Sequence, residues 1–268
     1  MTVRKRHVLF LSGFDPKGAS YYHALFKRES AKQGKLSGWT YAVGPRRPSQ
    51  RGHAFWTVEA RSQQEADAVE VHTTVEHLRW DDLVRQHWAK APGQMLWGSV
   101  MAYVHALASG RSLGRVWRAA PMTLFSLAWP ALCWLGALLL AVALGSIAAY
   151  AVLQMWEGPA AVAGAMASGL AAAAAVLFWS VRLERRLNTT WLLRIYRFAE
   201  RWAKGQMPEM DARLDDMASR LDEVMADPGI DEVLVVGYSV GSMLAVSTVA
   251  RRAVAFPVDA GPKLSLLT

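Results

Sequence analysis

Apolar positions recur with two different periods along this chain, and changes of period mark the predicted elements. Short apolar runs closed by glycine or proline are typical of buried strands, and strict alternation is typical of a half-exposed strand. Strands are predicted at 8–12, 39–43, 55–58, 69–76, 233–236 and 264–268. Apolar residues at helical spacing predict helices at 21–30, 209–225 and from 243 onward. Strands alternating with helices indicate an α/β domain built on a parallel sheet.

A second pattern interrupts this alternation. Residues 119–181 contain no lysine or arginine and one acid, Glu157. Two segments, about 131–152 and 160–181, each match the roughly 20 apolar residues that a helix needs to cross a bilayer. With only a short turn between them, they predict a two-helix transmembrane hairpin. Small residues at a spacing that permits close helix packing lie in the second segment: Gly164, Ala165, Ser168 and Gly169.

Basic residues around the hairpin predict its orientation. Three arginines precede the first span and three follow the second, whereas the connecting turn has none: Arg111, Arg115, Arg118, Arg182, Arg185 and Arg186. Because basic loops stay on the cytoplasmic side, both flanking parts are expected in the cytoplasm, with the protein in the inner (cytoplasmic) membrane. The N-terminus has too brief an apolar run for a signal peptide.

These patterns divide the chain into four parts. Residues 1–110 and 205–268 are the two halves of the α/β domain, and 119–181 is the hairpin. Residues 182–204 predict a basic amphipathic helix, which either lies along the anionic inner membrane surface or packs on the α/β domain. The net charge of +8 is largely explained by these basic flanks and does not indicate nucleic-acid binding.

The strand at 233–236 leads into Gly237-Tyr238-Ser239-Val240-Gly241, which matches G-x-S-x-G. A serine on a sharp strand-to-helix turn needs small residues two positions before and after it, and two glycines stand there. This stretch resembles the nucleophile elbow of the α/β-hydrolase family. The resemblance implies a three-layer α/β-hydrolase-like fold with Ser239 as the nucleophile. The alternative is an ordinary strand-glycine-helix turn of another α/β fold.

The loop after the first strand, Gly13 to Ser20, also resembles a part of that family. The corresponding loop supplies one backbone N–H of the oxyanion hole, and the residue after the nucleophile supplies the other. The resemblance therefore implies the amides of Phe14, or Asp15, and of Val240. The family's usual His-Gly pair is here Ser12-Gly13, and the alternative is a plain turn with Asp15 capping the next helix.

The catalytic base is the missing part of the resemblance. In the family an acid and then a histidine follow the serine, but all 7 histidines of this chain lie at or before His105. Three explanations stand: a sequence lacking its C-terminal part, a base supplied from upstream by His23 or His105, or a hydrolase-like protein without catalysis.

The predicted function is therefore a membrane-anchored serine hydrolase of esterase or lipase type, a carboxylic ester hydrolase acting through Ser239. The alternative is a non-catalytic membrane scaffold or lipid-binding protein. Expected partners are the lipid bilayer and an apolar acyl or ester molecule, and the oligomeric state stays open.

No cofactor is expected, and no metal, because His72, Glu76 and His77 do not follow a metal-ligand spacing. The single cysteine, Cys133, excludes an intramolecular disulfide.

Overall fold

The computed structural model describes residues 3–49, 51–62, 69–88, 121–187, 191–252 and 261–268, with isolated positions between 97 and 118. The chain divides into two compact units, 1–88 with 201–268 and 89–200. The predicted domain limits at 110 and 119 stay predictions, because most residues from 89 to 120 lie outside the described part of the chain.

The first unit contains a mixed seven-stranded sheet. Its strands are β1 (Lys5–Leu11), β2 (Trp39–Val43), β3 (Arg47–Pro48), β4 (Ala54–Ser62), β5 (Glu70–His77), β6 (Glu232–Gly237) and β7 (Lys263–Leu267). The strand order is β2-β4-β5-β1-β6-β7, and β3 pairs with β4. All six strand predictions coincide with observed strands, and the α/β class is confirmed.

The expectation of a parallel sheet is confirmed for one part of the sheet and wrong for the other. Strands β5, β1, β6 and β7 are parallel, whereas β4 is antiparallel to β2, β3 and β5. The short connections from β2 to β4 explain the difference. The connections span residues 44–46 and 49–53, shorter than the dozen or so residues that a crossover between parallel strands needs, so antiparallel pairing is favoured here.

Helices cover both faces of the sheet. On one face lies α1 (Ala19–Ser37), where the ring of Tyr22 packs 5.3 Å from that of Phe10. Two helices near the C-terminal end of the described chain, α6 (Pro208–Met225) and α7 (Val240–Ala250), pack on the other face, where Arg220 on α6 contacts the buried Glu76. Helix α2 (Asp81–His87) follows β5. The unit therefore has helix, sheet and helix layers.

The second unit contains α3 (Pro121–Met155), α4 (Pro159–Leu187) and the start of α5 (Trp191–Ala203). Within the first two, Ala128–Met155 and Pro159–Glu184 are long and apolar enough to cross a membrane. The helices approach each other closely at two glycines: a methyl group on Gly145 would lie 2.9 Å from the Gly169 carbonyl oxygen, and the reverse distance is also 2.9 Å. Gly169 belongs to the small residues singled out in the sequence, whereas Gly145 does not.

Candidate functional site

Ser239 occupies a sharp turn between β6 and α7. Its φ is 57° and its ψ is −121°, and it is the one non-glycine residue with positive φ in the described part of the chain. This conformation is strained for any residue that carries a Cβ atom. The side chain projects into solvent, because Ser239 and its neighbour Tyr238 are both exposed. The turn thus presents a hydroxyl group at the carboxyl end of β6, which lies between β1 and β7 in the sheet.

The two flanking glycines have little room for a side chain. A methyl group on Gly237 would lie 2.6 Å from the Gly241 carbonyl oxygen. One on Gly241 would overlap the Leu11 carbonyl group and lie 2.6 Å from the Ser12 carbonyl oxygen. The tight turn therefore needs glycine at both positions, for the steric reason that the motif predicts.

The loop after β1 lies against this turn. The Tyr238 N–H donates a 2.9 Å hydrogen bond to the Leu11 carbonyl oxygen. A methyl group on Gly13 would lie 3.2 Å from the Ser239 Cβ atom. This proximity follows from the sheet, since β1 and β6 are parallel neighbours and Leu11 pairs with Gly237.

The amides expected at an oxyanion hole belong to these two segments. Val240 is the first residue of α7, so its N–H has no acceptor within the helix. Phe14 is buried, and its ring stacks 5.6 Å from that of Trp88. The Asp15 N–H donates a 2.8 Å hydrogen bond to the Gly13 carbonyl oxygen. The resemblance implies the amide of Phe14 or that of Asp15. The Asp15 N–H is already hydrogen-bonded within its own turn.

A base for Ser239 is not identified. Among the residues that the structure describes, no histidine or carboxylate is hydrogen-bonded to the Ser239 hydroxyl group. The Nε2 atom of His23 lies 2.9 Å from the Gly44 carbonyl oxygen, and the ring packs against Trp56. His105 lies outside the described residues.

A buried polar cluster lies beside the loop after β1. Ser12, Tyr22 and His77 are all buried, and the His77 ring stacks on Tyr22 at a centroid distance of 5.4 Å. Burial lowers the pKa of His77 to about 4, so the ring is neutral at physiological pH. Burial, together with Asp15, raises the pKa of Tyr22. Sequence reasoning did not assign this cluster to the site, because its members come from three separate elements.

Glu76 belongs to a separate ionic cluster on the other face of the sheet. Its carboxylate lies 3.0 Å from His7 Nε2 and 3.0 Å from the Arg220 guanidinium group. Burial opposes ionisation, but hydrogen bonds from His7 and Arg220 outweigh it and hold the pKa of Glu76 below its usual value. No group of three or more histidine, cysteine or acidic side chains that could hold a metal ion occurs within the described ranges.

Comparison with known protein families, with curated proteins and with solved structures finds no match in any of the three.

Proposed function

We propose that this protein is a membrane-anchored serine hydrolase that transfers an acyl group through Ser239. The observation that carries the proposal is the positive φ of this serine at the end of β6. A strained residue persists only where the surrounding structure holds it, and such residues concentrate at functional sites. Two crowded glycines and the loop after β1 hold this turn.

The proposed reaction has two steps. In the first, Ser239 Oγ bonds to the ester carbonyl carbon, the bond to the alcohol oxygen breaks, and the alcohol leaves with a proton. In the second, water attacks the acyl-enzyme, releasing the acid and restoring the hydroxyl group. The amides of Phe14 and Val240 are the proposed donors to the negative oxygen that develops in both steps.

The surroundings of Ser239 favour an apolar substrate. Tyr238 is 62% exposed, and Met243 and Val246 on α7 are about half exposed. Met243 and Val246 follow Ser239 by four and seven residues, a spacing that favours one helix face, and Tyr238 directly precedes the serine. The proposed substrate is an acyl ester with a hydrophobic acyl group, drawn from the bilayer that α3 and α4 enter. In the proposed topology both flanks of this hairpin are cytoplasmic.

A second candidate is a non-catalytic scaffold or lipid-binding protein. It is favoured by one observation, that no histidine among the described residues is hydrogen-bonded to the serine. In that case the elbow would be retained for structural reasons.

Labelling with a fluorophosphonate probe separates the two candidates. The full chain in lipid nanodiscs is treated with the probe beside Ser239→Ala, and adducts are located by mass spectrometry. The hydrolase proposal expects an adduct on Ser239 that is lost in the variant. A folded protein without that adduct would support the scaffold. Ser247→Ala, on the same helix, is the matched control and should label normally.

A further inference from the structure

A groove lies between the second half of α1 and the sheet. Its volume is about 880 Å³, within the roughly 300–1,000 Å³ range of small-molecule sites. We call it the α1 groove and define its floor by six sheet residues: Val8, Val58, Ala60, Val75, Leu234 and Val236. Residues 237–241, which form the turn at Ser239, are not among the residues that line the groove, so the two sites are distinct.

The groove exists because α1 covers only part of the sheet. Tyr22, near the beginning of the helix, is its one buried residue. Leu36, near its end, lines the groove and is 84% exposed. The floor is continuous with the apolar cluster of Trp56, Val58 and Val75. The described residues therefore leave an apolar surface open between the second half of the helix and four strands.

The walls of the groove combine aromatic and charged groups. Phe26 on α1, with Trp39 and Tyr41 on β2, forms an aromatic wall. Lys32 and Glu29 line the roof, where Lys32 Nζ lies 3.2 Å from the Glu29 carboxylate. Arg6, at the start of β1, is the second cation in the lining. Two cations therefore line the groove against one acid, beside an apolar floor.

We propose that the α1 groove binds an anionic single-chain amphiphile of the fatty-acid type. Its alkyl chain would lie on the valine and leucine floor, where burial of each methylene group is favourable. Its carboxylate would pair with Lys32 at the roof, competing with Glu29. The proposal does not depend on the chemistry of Ser239.

Photocrosslinking tests this site in the full chain. Ser239→Ala protein in phosphatidylcholine nanodiscs is irradiated with a palmitate analogue that carries a diazirine in mid-chain, and adducts are mapped by mass spectrometry. We expect adducts on residues 26–41 that excess palmitate displaces. Ala60→Phe should fill the groove and lower this labelling by about tenfold, the effect of excluding roughly two methylene groups. Lys32→Glu should lower it severalfold.

Two matched control variants test whether the reduced labelling arises in the groove itself. Ala42→Phe places the same ring on the other face of β2, and Lys27→Glu changes an exposed α1 charge that does not line the groove. Both should label as the parent does. The smaller Ala60→Leu should give an intermediate reduction if the phenylalanine variant fails to fold. Adducts confined to α3 and α4, or labelling unaffected by filling the groove, would overturn the proposal. If the uncharged alcohol analogue labels the groove equally well, the proposal that the ligand must be anionic would be overturned.

Discussion

Gly13 lies directly against Ser239, so the loop after β1 supports the strained turn after β6. A methyl group on Gly13 would approach both the Ser239 Cβ atom and the Tyr238 carbonyl oxygen to 3.2 Å. That spacing is tighter than an ordinary van der Waals contact, so the turn would have to shift by a few tenths of an ångström. The position of the serine hydroxyl group therefore depends on the absence of a side chain in a distant part of the sequence.

Replacing Gly13 with alanine tests this dependence. We expect Gly13→Ala to fold but to label with fluorophosphonate about tenfold more slowly, because small displacements of a nucleophile are costly. Gly136→Ala is the control, since a methyl group there meets nothing within 4 Å. Labelling rates of the two variants are compared with wild type in nanodiscs. An unchanged rate in Gly13→Ala would show that the contact does not position the serine.

Strain at Ser239 should be measurable as a difference in the free energy of unfolding between two variants. Ser239→Gly should be more stable than Ser239→Ala by about 1 kcal/mol, because glycine accepts a positive φ without strain. The order should reverse at Ser247, within α7, where glycine should be about 1 kcal/mol less stable than alanine. Denaturant unfolding of the four variants measures both differences. The same order at both positions would argue against strain at the turn.

The lowered pKa of the buried His77 ring predicts that the protein loses stability in mild acid. Its pKa is about 4 in the folded protein, because burial disfavours the charged ring, whereas an unfolded histidine has a pKa of about 6.5. The unfolded state therefore binds more protons between these values, and the free energy of unfolding falls as pH decreases through this window. We expect a decrease of about 3 kcal/mol from this group.

The matched variants are His77→Leu and His72→Leu, which replace a buried and an exposed ring on the same strand. Chemical unfolding between pH 7 and 4 should show a shallower decrease for His77→Leu and an unchanged one for His72→Leu. Equal pH dependence in the two variants would refute the assignment.

Glu76 should be sensitive to substitution and to stronger acid. Glu76→Gln should lower the free energy of unfolding by about 3 kcal/mol, because His7 and Arg220 lose their shared buried carboxylate. The folded pKa of Glu76 lies below the unfolded value of about 4.3. Its stabilisation is therefore complete above the unfolded pKa and is lost as pH falls through the folded one.

Unfolding measurements with Glu59→Gln, an exposed carboxylate on β4, provide the comparison. That variant should change stability by less than about 0.5 kcal/mol. A similar small change in Glu76→Gln would mean that the buried ion pair makes no net contribution.

The crossing of α3 and α4 predicts a specific crosslink. A Cβ atom on Gly169 would lie 3.3 Å from that of Ala149, close to the spacing that a disulfide bond requires. In a Cys133→Ser background, Ala149→Cys with Gly169→Cys should oxidise to an intrachain disulfide, detected by mass spectrometry. Ala149→Cys with Gly136→Cys, two positions on the same helix, should stay reduced. Failure of the first pair to oxidise would contradict the observed packing.

Local patterns in the sequence determined the element types. The alternation at 69–76 and the apolar run at 233–236 predict β5 and β6, because a strand's two faces differ in exposure every second residue. The length and composition of residues 119–181 predict the two long apolar helices. The glycines at 237 and 241 predict the sharp turn at Ser239. The requirement at Gly237 is local, because its crowding comes from Gly241 and Ser242, whereas that at Gly241 comes from the carbonyl groups of Leu11 and Ser12.

Only the tertiary structure decided how these elements meet. Strands β1 and β6 lie far apart in the sequence, yet Leu9 pairs with Val235 and Gly13 touches Ser239. Neither the antiparallel half of the sheet nor the contact between Gly145 and Gly169 follows from a local period. Both the burial of His77 and the pairing of Glu76 with Arg220 depend on helices that pack from elsewhere in the chain. Periodicity fixes which face of an element is apolar, but many partners can cover such a face, and the choice among them is made by packing in three dimensions.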